Sequence, residues 1–302
     1  IPIVRSYDLS TTGMPLVTSA LYPSAVNSTV ATPLNGSYTH RNDVDFENAA
    51  FVQINNVIYI SNGYDESQKY DGQTIYRTGL PSVSTLTSAL GAAGAVTGTN
   101  YFHQAQYIQW DAVGQLVEGN IKTVSTGLNP VAQKMSVTVA NILAGSGFNT
   151  NCAIVAGAQV GVTTITVDDG SGGAHTMKVG DTAYFFDGVS AGYVERELTA
   201  VNATSITVAG AAVNLADNAV ISNNLRIGIY RNETSGVTPT VFFVLEEIPN
   251  NSFSATQVYS DNKTDAQLGA QVTPPLTDRS PPAKGKYISA FRNQMVVAGN
   301  YD

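Results

Sequence analysis

Between Phe51 and Pro81 the chain reads FVQINNVIYISNGYDESQKYDGQTIYRTGLP, with β-branched and aromatic runs broken by polar pairs at Asn55-Asn56, Asn62-Gly63 and Asp71-Gly72. Asn, Asp and Gly tolerate the positive φ of primed two-residue turns, so the pattern predicts a meander of about four short strands. Part of it returns near the end of the sequence. Ile54–Asp65 (INNVIYISNGYD) and Phe291–Asp302 (FRNQMVVAGNYD) align Asn56 with Asn293, Tyr64 with Tyr301 and Asp65 with Asp302. After the matched asparagine each copy carries an apolar strand, Val57–Ile60 and Met295–Ala298, then a turn using Asn and Gly in opposite order. A recurring hairpin marks a blade-type repeat. The copies lie much further apart than the roughly 40–50 residues of one propeller blade, so folded modules are expected between them. One blade and a fraction leaves open strand edges. The expectation is a chain that continues beyond Asp302, or partner subunits that cover the edge.

The remaining pattern divides into further modules. Ile1–Asn48 is turn-rich, with Pro15, Pro23 and Pro33, and keeps no helical period. It is expected to be an extended arm with one or two short strands, packed on a neighbour or covering its own sheet. Ser82–Thr99 is rich in Gly and Ala and is expected to be a linker with a lead-in turn. Tyr101–Trp110 alternates aromatic and polar residues, Asp111–Gly114 turns, and Gln115–Glu118 returns, giving a hairpin with one buried face. With Lys134–Ala140, Leu225–Arg231, Val241–Ile248 and Phe253–Ser260 the tally is about seven strands, as in a β-sandwich.

Between those two groups, Ala153–Asn223 has its own strand pattern: Val160–Val167, Ala183–Phe186, Val194–Val201, Ser205–Val208 and Ala219–Ser222. That fits a small barrel. Pro274–Pro282 is a proline-rich, semi-rigid exit linker. The expected fold is all-β, with propeller-like hairpins flanking an inserted β-sandwich that itself carries a small inserted β-barrel. The expected modules are an arm (1–48), the first meander (49–81), the sandwich (82–152 with 224–273), the barrel (153–223), and a linker with the second hairpin (274–302).

Composition narrows the function. Only 13% of the 302 residues are charged, about half the roughly 25% usual for soluble domains. A weakly charged surface suits a subunit with many protein neighbours, because buried charge is costly to desolvate. The net charge of −8, without any basic run, argues against a nucleic-acid-binding surface. A lone cysteine, Cys152, excludes an internal disulfide framework and reads as a small buried hydrophobe. No run of about 18 apolar residues is present, so no membrane span is expected.

Candidate chemistry is sparse. His40, His103 and His175 fall in three different modules, and His103 has no carboxylate or Cys at metal-ligand spacing, so it reads as a structural histidine. Asp168-Asp169-Gly170 lacks the alternating carboxylates and distal Glu of a calcium loop and reads as a hairpin turn. Glu246-Glu247 and Glu195/Glu197 raise a glycosidase pair. Glu195 and Glu197 flank Arg196, which favours ion pairing or exposure. Trp110, Tyr101 and Tyr193 are aromatic groups able to stack on sugars, although strand aromatics are usually core. No catalytic, cofactor-binding or metal-binding residue is expected, and no cofactor.

Four segments together resemble tail structural proteins of tailed bacteriophages: NGYDESQKYDG, YFHQAQYIQWDAVGQLVEG, IYRNE with FFVLEEIP and YSD, and PPAKGKYISAFRNQMVVAG. The resemblance covers about Phe51–Asp302. It implies a propeller-like β-fold carrying a fibronectin type III-like domain. Val179–Val208 is similar to small barrel modules that decorate phage proteins. It further implies a non-enzymatic virion component of the tail tube or nozzle, made in the host cytoplasm. Its expected partners are copies of itself in a ring and other tail or portal-adaptor proteins, with viral DNA passing without specific binding. The alternative is a virion module that binds a host-surface glycan or receptor.

Overall fold

The computed structural model describes residues 50–62, 66–72, 74–110, 114, 116–234, 240–272, 285, 287–291 and 294–298. The arm read over 1–48 and the linker over 274–282 lie outside the described residues. Among the described residues there is no α-helix, and the chain is all-β.

The first meander is a four-stranded antiparallel sheet of β1 (Ala50–Ile54), β2 (Val57–Ser61), β3 (Gln68–Tyr70) and β4 (Ile75–Arg77). The closing pair of its first hairpin is Ile54 opposite Val57, so Asn55 and Asn56 form the whole loop. Both have positive φ, 49° and 64°. That is the backbone of a primed turn, which matches the right-handed twist of the flanking strands.

The sandwich begins with β5 (Leu86–Val96), β6 (His103–Trp110), β7 (Leu116–Glu118), β8 (Lys122–Thr123) and β9 (Gln133–Ala140). The chain then leaves for the barrel, made of β10 (Cys152–Val155), β11 (Gln159–Val162), β12 (Thr164–Asp168), β13 (Thr182–Asp187), β14 (Gly192–Asn202), β15 (Ser205–Val208), β16 (Val213–Leu215) and β17 (Val220–Ser222). It returns through β18 (Leu225–Arg231), β19 (Phe242–Pro249), β20 (Thr256–Asp261) and β21 (Gln271–Val272), and closes on the hairpin of β22 (Tyr287–Phe291) and β23 (Gln294–Ala298).

Two sheets form the sandwich. A three-stranded sheet, β20-β9-β5, faces a larger one in which β21-β19-β18-β6-β7 run side by side and β8 also pairs with β6. Leu86, Val137 and Val139 from the first meet Ala105, Tyr107, Ile227 and Ile229 from the second in a shared core. Removing such apolar area from water is the main favourable term in folding, about 25 cal/mol per Å².

The Gly/Ala-rich stretch expected to be a linker is instead β5, an eleven-residue strand. Its weak strand propensity is overridden by ladder pairing with β9 and by burial of Leu86 and Val96 at its two ends. The hairpin strand β6 was expected to bury one face only. It is buried from Ala105 through Gln109 on both faces, because outward-facing Gln106 is covered by the Tyr230 ring and hydrogen-bonds its hydroxyl (2.8 Å). Tyr230 finds room because residue 228 is glycine, where a Cβ would stand 2.5 Å from the Tyr230 oxygen.

The barrel closes through six strands in the order β10-β12-β15-β14-β13-β17, with β11 and β16 paired alongside. Val155, Ile165, Phe185, Leu198, Ile206 and Ile221 fill it. The single strand expected over Val160–Val167 is split in two. Gly161 has a φ of 66°, and the two halves pair with different partners, β16 and β15.

The recurring hairpins meet in space. Ile288 of β22 and Met295 of β23 pack against Ile54, Val57 and Tyr59 of the meander, and the Ser61 hydroxyl donates to the Gly285 carbonyl. Phe291 stands opposite Gln294 as Ile54 does opposite Val57, so the two hairpins share the same register at their innermost pair. The positive φ at Asn56 gives a first test. Asn56→Val places a β-branched side chain in the left-handed region and is expected to cost about 1–2 kcal/mol, read from the denaturant midpoint; an unchanged midpoint would contradict this account of the turn.

Candidate functional site

The strand β18 organises the polar chemistry. Side chains of a strand alternate between faces, and all seven residues of β18 are buried. Leu225, Ile227, Ile229 and Arg231 point into the sandwich core, whereas Arg226, Gly228 and Tyr230 point outward. The two arginines, five positions apart, therefore serve opposite faces.

Arg231 ends the inward row beside His103, its partner across the ladder. Asp261 reaches them from β20 in the opposing sheet: its Oδ2 accepts from Arg231 (2.6 Å) and from His103 Nε2 (3.2 Å), and all three side chains are fully buried. Arg231 also donates to Asp265 Oδ1 (3.0 Å), and its guanidinium lies 4.7 Å from the centre of the Tyr101 ring. The Tyr101 hydroxyl donates to Asp265 (2.9 Å).

The charges tune one another. Burial pushes Asp261 up, but His103 and Arg231 outweigh it and hold the carboxyl below its ordinary value. Burial lowers His103 below the ordinary imidazole range, with Asp261 opposing only in part. His103 is thus a neutral ring donating from Nε2, and its Nδ1 has no hydrogen-bond partner. Burial, then Asp265, pushes Tyr101 up to about 12. This set bridges the two sheets at one end of the sandwich.

The outward arginine joins the barrel to the sandwich. Arg226 donates to Glu247 Oε2 (2.9 Å) on β19 and to Asn224 Oδ1 (2.9 Å), and pairs with Glu195 of the barrel strand β14. Its guanidinium lies 3.9 Å from the centre of the Tyr184 ring, which stacks on Tyr193 at 5.4 Å. Phe186 meets Tyr193 edge-on. The Tyr184 hydroxyl donates to the Glu247 carbonyl (3.0 Å). A guanidinium held by two carboxylates and an aromatic face uses the planar fork that lysine lacks.

A third cluster forms where meander, sandwich and barrel converge. Arg77 N–H donates to the Gly147 carbonyl (2.8 Å), and Lys178 Nζ donates to Thr74 Oγ1 (3.1 Å). Beneath them Asp181 Oδ2 accepts from Asn151 Nδ2 (2.9 Å) and from the Lys178 N–H (2.8 Å). Burial, which exceeds the effect of these donors, pushes Asp181 up to about 6, and the charge of Asp71 adds to the rise.

The residues singled out in the sequence are scattered. His40 lies outside the described residues. His175 donates from Nε2 to the Asn202 carbonyl (2.7 Å) and accepts the Met177 N–H at Nδ1. Cys152 is buried, and burial pushes its thiol up to about 11. The 168–173 turn is closed by its own carboxylates: Asp168 accepts from Gly170 N–H, and Asp169 from Ser171 and Gly173 N–H. Glu246 pairs with Lys263 (3.0 Å) while Glu247 and Glu195 share Arg226, so three of the four glutamates raised for glycoside chemistry are held in ion pairs, and Glu197 is exposed. Tyr101 is buried and Tyr193 is stacked; Trp110 is 41% exposed. Among the described residues no group of three or more His, Cys, Asp or Glu is placed to hold a metal ion.

Arg226, Arg231, Asp261 and Tyr184 were missed by motif reading. A signal existed: in a chain with only 15 Lys and Arg, two arginines occupy one seven-residue strand, LRIGIYR.

Two expectations follow. Arg231→Met leaves the Asp261 carboxylate buried without its cation and should cost about 3–5 kcal/mol in urea unfolding; a loss under 1 kcal/mol would contradict the bridge. For Asp181, whose folded value is raised, the stabilising contribution is full below the ordinary carboxylate value and is lost as pH rises through about 6. Asp181→Asn keeps the acceptor and removes the charge. It should therefore unfold at higher denaturant than the parent protein at pH 7–8, and its advantage should shrink as pH falls towards 4. A parallel pH profile for the two proteins would sink this assignment.

Compared with known proteins, the chain matches no family model, and no curated protein matches it significantly.

Proposed function

We infer that the chain is a non-enzymatic structural subunit of a bacteriophage tail, of the tube or nozzle type, that packs with copies of itself and other tail proteins around a DNA channel. The observation that carries this reading is the pair of recurring hairpins. They flank the sandwich and barrel in sequence and pack on each other in space, so the inserted modules project from a common base. A buried ion pair within the sandwich and a partly exposed one between sandwich and barrel suit a part that transmits load. The low charge suits extensive contact with neighbours, and an acidic balance suits a lumen wall that does not hold a polyanion.

In the same reading the two hairpins are propeller-like and the sandwich is fibronectin type III-like. The facing of a three-stranded sheet by a larger one supports this, although β6 to β8 intervene in the chain between the paired strands β5 and β9. Among the described residues no helix is long and apolar enough to cross a membrane.

The second reading, a virion module for a host-surface glycan, draws on Trp110. It is exposed, and Leu116 opposite it on β7 is exposed as well. Such a pair offers a ring face to a sugar. Immunogold labelling of intact virions with an antibody against residues 153–223 separates the readings. Gold along the shaft or nozzle is expected; gold confined to fibre tips favours receptor binding, and unlabelled particles would overturn the assignment.

A further inference from the structure

Among the described residues β9 is the only strand paired with β5, so β5 is an edge of its three-stranded sheet. The Thr85 carbonyl accepts the Ala140 N–H (2.9 Å), which sets the parity of that edge. Thr85, Thr87 and Ala89 turn their backbone groups towards β9, and Leu86, Ser88 and Leu90 turn theirs to the other side. The ladder is regular from Leu86 to Leu90 and shifts register beyond it, where the Ala95 N–H is taken by Asn262 Oδ1 (2.7 Å). Natural edges are blunted by Lys, Pro or an inward charge, and Ser82–Thr99 contains none of these. Leu90 is 46% exposed, although Leu86 on the same face is 6% exposed.

This edge is its own complement. A two-fold axis through Ser88 lays an antiparallel copy of the strand against it, with Ser88 opposite Ser88, Leu86 opposite Leu90 and Thr87 opposite Ala89. The N–H and C=O groups that Leu86, Ser88 and Leu90 turn to that side then pair with one another, giving about six main-chain hydrogen bonds. An axis through Thr87 or Ala89 pairs fewer of them within the regular stretch. On the face shared by Leu86 and Leu90, the exposed leucine of each copy gains the buried leucine of the other as its neighbour. Charge favours the same arrangement. The chain carries a net −8, yet no charge lies along the strand, so two copies meet there without opposing like charges and without desolvating an ion. Such a contact is isologous and closes at two copies. It stands apart from the tail reading, which needs contacts that propagate around a ring.

We propose that two copies of this chain pair through β5, antiparallel about Ser88, joining their β20-β9-β5 sheets into one continuous sheet. The test combines sedimentation velocity of the full chain over a range of concentrations with oxidative cross-linking of two exposed positions, Thr87→Cys and Ala89→Cys. Across the axis these two positions stand about 4.5 Å apart between Cα atoms, within disulfide reach. Each position lies about 7–8 Å from its own equivalent in the second copy, beyond that reach. The native Cys152 is buried. The expected result is a reversible monomer–dimer equilibrium, and a disulfide-linked dimer when the two variants are mixed but not when either is oxidised alone. Leu90→Lys, which places a charge beside Leu86 of the second copy, should raise the dissociation constant about tenfold or more while its circular dichroism stays that of the parent chain. A mixture that fails to cross-link overturns the proposal. So does a dimer indifferent to Leu90→Lys, or one in which either cysteine variant links to itself as readily as to the other.

Discussion

The ionic bridge of Asp261 with Arg231 and His103 is the constraint on which the sandwich depends. Apolar packing brings two sheets together without dictating which residue faces which. A buried carboxylate tolerates no such latitude, since its charge is stabilised only by donors at fixed positions. Asp261 lies on β20 and its donors on β18 and β6, so satisfying it sets the register of three strands across the core. Slippage of β20 by one residue would turn the carboxylate to the opposite face and deprive Arg231 of its fully buried partner.

The strand alternation of β18 carries that constraint outward. Arg231 fixes the opposing sheet and Arg226 fixes the barrel, so one strand positions two neighbours through its two faces. The outer joint is the more exposed: the Glu195 and Glu247 side chains are 50% and 34% exposed. Its strength therefore rests on the guanidinium fork and the stacked Tyr184 ring more than on ion pairing, which solvent screens. The inner bridge makes the sandwich unique, and the outer joint orients a module that has its own core and its own closure.

Much of the architecture was legible because β-structure writes its period and its turns into the sequence. The Asn55-Asn56 turn, the alternation of β9, and the nesting of barrel within sandwich all follow from local pattern. What stayed hidden depends on partners distant in sequence. β5 looks like a linker because Gly and Ala have little strand preference, and only the ladder with β9 makes it a strand. The strand β10 is short, and its ends are set by pairing with β12 and β17 in the closed barrel rather than by its own turns. The polar clusters were equally hidden: Asp261 and His103 stand far apart in the chain, and no spacing rule connects them. Arginine inside an apolar strand was the visible trace of both.

The barrel begins and ends on adjacent strands, with Cys152 opposite Ser222 and the Asn223 N–H donating to the Asn151 carbonyl (3.0 Å). Neighbouring antiparallel strands lie about 5 Å apart, so the chain leaves the sandwich and re-enters it through a narrow neck. Tension drawn along the polypeptide from the meander to the last hairpin can cross that neck directly. The barrel then hangs beside the line of force as a pendant and is spared stretching. Such a module can be lengthened, exchanged or removed over evolutionary time while the strands on either side of the neck keep their pairing.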